Sequence, residues 1–234
     1  MTRLPGDRRA QRLSIVVPVL NESAGIVAQL AALQPLRARG HELVVVDGGS
    51  DDDTPGLAAP FVDRVVASPA GRAKQMNAGA AVAIGDALLF LHADTQLPPD
   101  ADALVLAALD RRDWGRFDVR IEGAHPMLRV VAAAMNVRSR WTSVATGDQA
   151  IFCTREMFDR VGGFPSLPLM EDVALSKRLR RSGPPACLRE RVVTSGRRWE
   201  RHGVFRTIAL MWRMRFAYFV GVDPARLARW YPRR

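Results

Sequence analysis

The chain has 234 residues, 48% of them hydrophobic and 25% charged, and a formal charge of +10. Such a composition is ordinary for a soluble globular protein able to bury a substantial core, and two cysteines, Cys153 and Cys187, are too few and too far apart for a disulfide framework or a zinc site. The positive charge is carried almost wholly by arginine, since Lys74 and Lys177 are the only lysines, and it favours anionic partners such as phosphates, nucleotides, acidic membrane surfaces or nucleic acid.

Residues 1–12 carry Arg3, Arg8, Arg9 and Arg12 with no apolar run behind them, so a basic tail and a reducing, cytoplasmic setting are expected rather than a secretory signal. Residues 13–19 form a continuous β-branched run that reads as a buried parallel strand. Asn21, Glu22 and Ser23 are expected to open an amphipathic helix reaching about residue 35. A second buried strand over 41–46 ends at Asp47 and a turn-rich segment, 48–54. A short strand over 64–67 and a loop over 68–72 lead into a small-residue helix, 73–84, closed by Gly85. Residues 87–91 form the strand that delivers Asp94. This alternation predicts an α/β domain with a mostly parallel sheet and helices on both faces.

Beyond residue 100 the pattern changes. Helices are predicted over 100–112, 127–140, 154–161 and 171–181, and strands over 115–121 and 149–153. Residues 162–165 form a turn. The last long helix, 205–220, is rich in Phe, Trp and Met but interrupted by Arg206, Arg213 and Arg215, so it does not span a membrane. It either lies on an anionic membrane surface or packs against its own domain or a dimer partner. The expected organisation is a domain over 13–203, with a nucleotide-binding half (13–98) and an acceptor half (99–203) sharing one sheet, followed by the C-terminal amphipathic helix and tail, 204–234.

In open α/β sheets ligands bind where strands end. Pro18, Asn21 and Glu22 follow the first strand, Asp47 the second and Asp94 a later one, which would line one crevice. A lone carboxylate at Asp94 suits a divalent cation that also holds a diphosphate, or caps a turn. Asp47 either accepts hydrogen bonds from a base or ribose, or turns the chain. The run Asp51-Asp52-Asp53 reads more simply as a cap than as a metal site. Arg72 and Lys74, where a loop enters a helix, favour a diphosphate or form a solvated pair. Glu171 and Asp172 open a helix whose dipole stabilises acidic side chains, and one of them facing a cleft can serve as general base or merely cap. Arg197, Arg198 and Arg201 around Trp199 suit phosphate contact and stacking, or form a basic surface loop. His202 has no identifiable partner and reads as structural, and His41, His125 and the cysteines form no set with metal-ligand spacing.

The ordered stretches 15–22, 44–54, 77–79 (Asn-Ala-Gly), 91–94 (Leu-His-Ala-Asp), 161–164 with Glu171-Asp172, and Arg198-Trp199 resemble family-2 glycosyltransferases of the GT-A fold. The segment 147–152 is similar to a small bacterial subgroup labelled rSAM/selenodomain-associated transferase 2. The resemblance implies an inverting, metal-dependent transfer of one sugar from a nucleotide-sugar donor, a UDP-sugar, to a small-molecule or lipid-phosphate acceptor. It implies that Pro18, Asn21, Glu22 and Asp47 bind the nucleoside and that Arg72, with Lys74 near it, approaches the base or the diphosphate. Asp94 would bind Mg²⁺ or Mn²⁺, Asp172 would be the base with Glu171 beside it, and Arg198-Trp199 would contact diphosphate and acceptor. Asp47, Asp94 and Asp172 are therefore expected around one cavity.

Two departures stand out. His92 replaces the first Asp of the family's Asp-X-Asp, which favours Mn²⁺ if the imidazole ligates. Ser195 stands where processive relatives carry Gln, which argues for a single transfer. Two rivals remain at this level. A non-catalytic nucleotide- or nucleic-acid-binding module is permitted by the charge, but the basic residues are dispersed. A sugar-1-phosphate nucleotidyltransferase expects a Gly- and Arg-rich loop where Asn21-Glu22-Ser23 stands.

Overall fold

The computed structural model describes residues 12–230. The basic tail expected over 1–12, Arg12 apart, and residues 231–234 lie outside them. The first half runs β1 (Leu13–Val19), α1 (Ile26–Ala32), α2 (Gln34–Ala38), β2 (Glu42–Asp47), α3 (Thr54–Ala58), β3 (Arg64–Ala67), α4 (Arg72–Val82), β4 (Ala87–Phe90) and β5 (Thr95–Gln96). The second continues with α5 (Ala101–Leu109), β6 (Trp114–Glu122), α6 (Met127–Thr142), β7 (Phe152–Thr154), α7 (Arg155–Arg160), α8 (Glu171–Leu179) and β8 (Ala186–Ser195). It closes with α9 (Arg197–His202), α10 (Val204–Phe219) and α11 (Pro224–Trp230).

All eight strands form one sheet in the order β3-β2-β1-β4-β7-β6-β8-β5, so the two halves share a single sheet as expected. β1 to β4 pair parallel, β7 runs antiparallel to β4 and β6, and β6 and β8 pair parallel. Successive residues of a strand point to opposite faces, and both faces here are covered. Ile15, Val17, Leu43 and Val45 pack beneath α1, α2, α5 and α6. Val16, Val44, Leu88 and Phe90 pack beneath α4, α7 and α8. That is why β1 reads as an uninterrupted apolar run.

Helix α4 lies flush on the sheet because residue 79 has no side chain: a Cβ there would meet Val16 Cγ1 at 2.4 Å and Val46 Cγ2 at 2.8 Å. From the same helix Gln75 Nε2 donates to the carbonyls of Val19 (2.7 Å) and Val46 (2.8 Å), which ties α4 to the ends of β1 and β2. Its last turn is closed by Arg155, whose guanidinium donates to the carbonyls of Ala80, Ala83 and Gly85. On the opposite face Asp102 accepts from Arg39 Nε at 2.6 Å and lies 2.9 Å from His41 Nε2, while His41 Nδ1 accepts from the Leu13 N–H. Burial alone would raise the Asp102 carboxyl; the hydrogen bonds from Arg39, the Ala103 N–H and His41 hold it at about 2.

Several elements depart from the sequence reading. The helix after β1 starts at Ile26, not near Asn21, because Asn21 adopts a left-handed conformation (φ 54°) and residues 21–23 are spent on the neighbouring loop. Their backbone N–H groups donate to Ser50 Oγ, Thr54 Oγ1 and Asp52 Oδ2 in turn. Asp52 is thus a loop tie, held at about 2 by the Thr54 and Ser23 hydrogen bonds, in keeping with the capping reading of the acidic run. The strand expected over 149–153 begins only at Phe152, after a 3-10 turn at Gly147–Gln149. β8 escaped prediction altogether. It is ten residues long, and its register with β6 jumps between Phe117–Leu188 and Asp118–Arg191, leaving exposed Arg189 and Glu190 in a bulge.

The C-terminal helix α10 packs by one face onto its own domain. Met214, Ala217 and Leu227 form a small core with Leu169, Leu210, Tyr218 and Trp230 around them. Its other face leaves Phe205, Trp212, Phe216 and Phe219 exposed. Among the described residues no helix is long and apolar enough to cross a membrane. Cys153 and Cys187 are both free.

Candidate active site

A cavity of about 440 Å³ opens at the carboxyl ends of β1 and β4, within the range of small-ligand sites. Asn21 and Glu22 follow β1, His92 and Asp94 follow β4, and Arg72 enters from the first turn of α4. The opposite wall is built from the 146–148 turn, Glu171 and Asp172 of α8, and Thr194 and Ser195 of β8. Helix α9 adds Arg197, Arg198, Trp199, Arg201 and His202, and α10 adds Thr207, Met211, Met214 and Arg215. Arginines and carboxylates thus line the same cavity.

Each acidic side chain is fixed by backbone geometry. The Gly147 N–H donates to Asp172 Oδ2 at 2.8 Å, and the Val173 N–H to Oδ1 at 2.6 Å, so the first turn of α8 orients this carboxylate toward the 147 turn. Asp148 Oδ1 lies 3.2 Å from His92 Nδ1. Burial would push the Asp148 carboxyl up, but the His92 hydrogen bond and the nearby charges of His92, Arg72 and Arg198 hold it at about 2. Glu171, 6% exposed, goes the other way. Burial, and then repulsion from Asp172, raise its carboxyl above the usual range, with Arg72 opposing in part. Asp94 is half-buried; its carbonyl accepts the Ser195 N–H at 3.2 Å, which continues the pairing of β5 with β8 by one residue.

The structure brings Asn21, Glu22, Arg72, His92, Asp94, Glu171, Asp172, Arg198 and Trp199 around one cavity. It does not bring Pro18, Asp47 or Lys74 to its lining. Pro18 is a buried strand residue paired with Val46, and Lys74 points to solvent from α4. Asp47 spends its carboxylate on its own turn: Oδ2 accepts from the N–H groups of Gly49 and Ser50, both at 3.0 Å, and Oδ1 accepts Ser50 Oγ. The expected convergence of Asp47, Asp94 and Asp172 thus holds for the latter two. Sequence reasoning missed Asp148 and Arg215. Arg215 lay in a helix read for its apolar face, although Met211 and Met214 beside it share the cavity side.

His92 acts as a brace. Its Nδ1 faces Asp148, and its Nε2 edge rests on the Gly147 backbone, where a Cβ would come within 2.3 Å. The preference for Mn²⁺ that depended on His92 ligation finds no support in that arrangement. Among the described residues no three His, Cys, Asp or Glu are grouped to hold an ion. Asp94, a hard oxygen donor facing the cavity, fits a divalent cation that takes its other ligands from diphosphate oxygens and water.

Comparison with known proteins places this geometry. The family model described as Glycosyl transferase family 2 matches residues 14–164. A PGL/p-HBAD biosynthesis glycosyltransferase of Mycobacterium tuberculosis is 31% identical over 172 residues, 68% of this chain and 62% of the relative. The chain thus spans under two thirds of that relative's length. The mannosyltransferase PcManGT from Pyrobaculum calidifontis, solved with GDP-Man and Mn²⁺, superposes with a TM-score of 0.66 at 21% identity, covering 97% of this chain and 66% of that one. S. aureus TarS 1-349 with UDP-GlcNAc gives 0.64 at 18% identity, covering 79% and 58%. Glucosyl-3-phosphoglycerate synthase from M. tuberculosis, solved with Mn²⁺, UDP and glucosyl-3-phosphoglycerate, gives 0.57 at 21% identity, covering 77% and 70%. The architecture is that of the GT-A fold, and with the family model covering most of β1 through the 162–164 turn, the chain belongs to glycosyl transferase family 2.

Proposed function

We propose that this chain transfers a single sugar, with inversion, from a nucleotide-diphosphate donor to an acceptor bound beside Asp172. The observation that carries the reading is the placement of Asp94, Arg72 and Arg198 in one cavity with Asp172, whose carboxylate the Gly147 and Val173 N–H groups orient. Structural neighbours seen with UDP-GlcNAc, with GDP-Man and Mn²⁺, and with UDP and Mg²⁺ support a nucleotide-sugar donor and a divalent cation.

On this reading Asn21 and Glu22 contact the nucleoside, uridine in the first instance, while Pro18 and Asp47 shape the strand end beneath them. Asp94 would hold the cation, which when bound offsets charge on the diphosphate. Arg72 and Arg198 do the same from the protein side, and charge placed in advance where it develops is usually the largest contribution at such centres. Asp172 takes the proton of the acceptor hydroxyl, its carboxylate aimed by the Gly147 and Val173 N–H groups. Glu171 backs it from the buried side, and Trp199 offers a face to the acceptor sugar or base. Cytoplasmic action is part of this reading. So is peripheral contact of α10's aromatic face with an anionic membrane, which leaves homodimerisation through that face as the competing use.

A thermal-shift panel of UDP, GDP, ADP and CDP, each with and without Mn²⁺ or Mg²⁺, tests the proposal, because a ligand of the folded state raises the melting temperature by mass action. One nucleoside diphosphate should stabilise the chain, more strongly with metal. No response to any of the four would remove the transferase reading, and salt-sensitive retention on DNA in its place would favour a nucleic-acid module.

A further inference from the structure

Helix α6 carries an apolar row that the described residues leave uncovered. Val130, Ala133, Ala134, Val137 and Trp141 are all exposed, Trp141 at 86%. Their spacing of three and four residues puts them on one side of the helix, opposite Leu128, Ala132, Met135 and Ser139, which are buried. Helix α10 repeats the pattern. Phe205, Ala209, Trp212, Phe216 and Phe219 are exposed, opposite the buried Thr207, Met214 and Ala217.

The two helices lie side by side. Each has 16 residues and so runs about 24 Å. Where they begin, the His125 ring, two residues before α6, meets the Phe205 ring edge-on with centroids 5.9 Å apart. Where they end, both reach α8. Arg180 Nη1, just past α8, donates to the Thr142 carbonyl at 3.1 Å, and Lys177 Nζ lies 4.6 Å from the centroid of the Tyr218 ring. Lys177 and Arg180 are within one turn of each other, so α6 and α10 leave one corner and arrive at another in the same direction. With their buried sides against the domain, the outward rows form two neighbouring lines of one face.

The charge on this face has one sign. No acidic residue occurs between Glu122 and Asp148 or between Glu200 and Asp223, the segments that contain the two helices. The exposed charges beside the rows are Arg129 on α6 and Arg206 and Arg213 on α10. A contiguous exposed apolar surface of this kind marks a binding face. A second copy suits it poorly, because a twofold contact would set these arginines against their own kind with no carboxylate in either helix to pair them. A bilayer with anionic headgroups meets both demands, acyl chains receiving the aromatic rows and phosphates the arginines. We propose that α6 and α10 together form a bilayer-docking face, both helices lying in the headgroup plane, with anionic lipid as the partner. The contact of α10 belongs to the function proposed above, and this extension rests on it; the α6 row is the new element.

The test uses the full chain with vesicles of phosphatidylcholine and phosphatidylglycerol. The double variant Val137→Ser, Trp141→Ser leaves α10 untouched and should weaken co-sedimentation by about tenfold or more. Its melting temperature should not change, because both side chains are exposed. Contact is read separately, from tryptophan quenching by vesicles whose acyl chains carry bromine. Trp212→Phe removes the reporter on α10, so quenching should be clearly lower when Trp141→Phe is added to that variant, which places residue 141 in the bilayer. If the serine variant melts earlier, this pair, which keeps an aromatic ring at both positions, decides the matter. Equal quenching in the pair, or vesicle binding by the α6 serine variant as strong as that of the unaltered chain, overturns the two-helix face while leaving the α10 contact standing. Absence of vesicle binding by the unaltered chain overturns both, and a dimer in light scattering that Trp141→Ser dissolves would then give the face to a second copy.

Discussion

Gly147 and His92 touch so closely that a Cβ on residue 147 would lie 2.3 Å from His92 Nε2. The contact links two functional elements, because the Gly147 N–H holds Asp172 and His92 Nδ1 meets Asp148. Gly147→Ala should displace the ring or the turn. Overpacking of this kind costs about 1–3 kcal/mol, so a lower melting temperature is expected together with a loss of transfer larger than the loss of UDP binding. An alanine variant with unchanged stability and rate would show that the turn has slack.

Asp94→Ala should abolish the response to Mn²⁺ and Mg²⁺ in both melting temperature and turnover, while leaving the fold intact because the side chain is half-buried at a strand end. Metal-stimulated activity surviving in this variant would assign the cation elsewhere.

Asp172→Asn keeps the shape and one oxygen for the Gly147 or Val173 N–H groups but removes the base. Transfer to a hydroxyl should fall by about 10²-fold or more, with Kd for UDP nearly unchanged. Near-normal rates would leave Asp172 a positioning residue only.

Glu171 gives a pH signature. Its carboxyl is raised in the folded state by burial and by Asp172, so the native chain binds that proton more tightly than the unfolded chain. Stability should therefore decline as pH rises from the ordinary carboxyl value of 4.5 through the folded value, and stay lower at neutrality. Glu171→Gln should raise the melting temperature at neutral pH by about 2–4 °C, the gain shrinking as pH falls toward the ordinary value. Destabilisation by this variant at neutral pH would mean that an ionic partner stabilises the carboxylate.

The outward face of α10 presents Trp212, Phe216 and Phe219 at 74%, 69% and 82% exposure, flanked by exposed Arg206 and Arg213. Aromatic residues beside arginine suit an anionic bilayer surface. The chain should co-sediment with phosphatidylglycerol vesicles and much less with phosphatidylcholine alone, and replacing the three aromatics by serine should abolish it. Indifference to anionic vesicles, with a concentration-dependent dimer in light scattering, would give this face to a second copy.

The parallel half was legible because burial on both faces forces long β-branched runs, and β1 and β3 match their predicted bounds. The loop at 21–25 was not, because its helix-like residues are committed to Ser50, Asp52 and Thr54, twenty-nine or more positions away in sequence. β8 hid behind Arg189-Glu190-Arg191, whose charges suit a bulge and mask alternation. Asp94 and Asp172 could be found from their places at a strand end and a helix start. Arg215 could not, since only the packing of α10 against the rest of the domain turns this ordinary surface-type residue toward the cavity.

The sheet's two outer strands are short: β3 has four residues, with Arg64 paired to Glu42, and β5 has two. The longer β8, which β5 covers only at Val193 and Thr194, interrupts its remaining edge with the charged bulge. Little continuous backbone is left for a foreign strand to hydrogen-bond, so this fold carries its own guard against sheet-to-sheet aggregation.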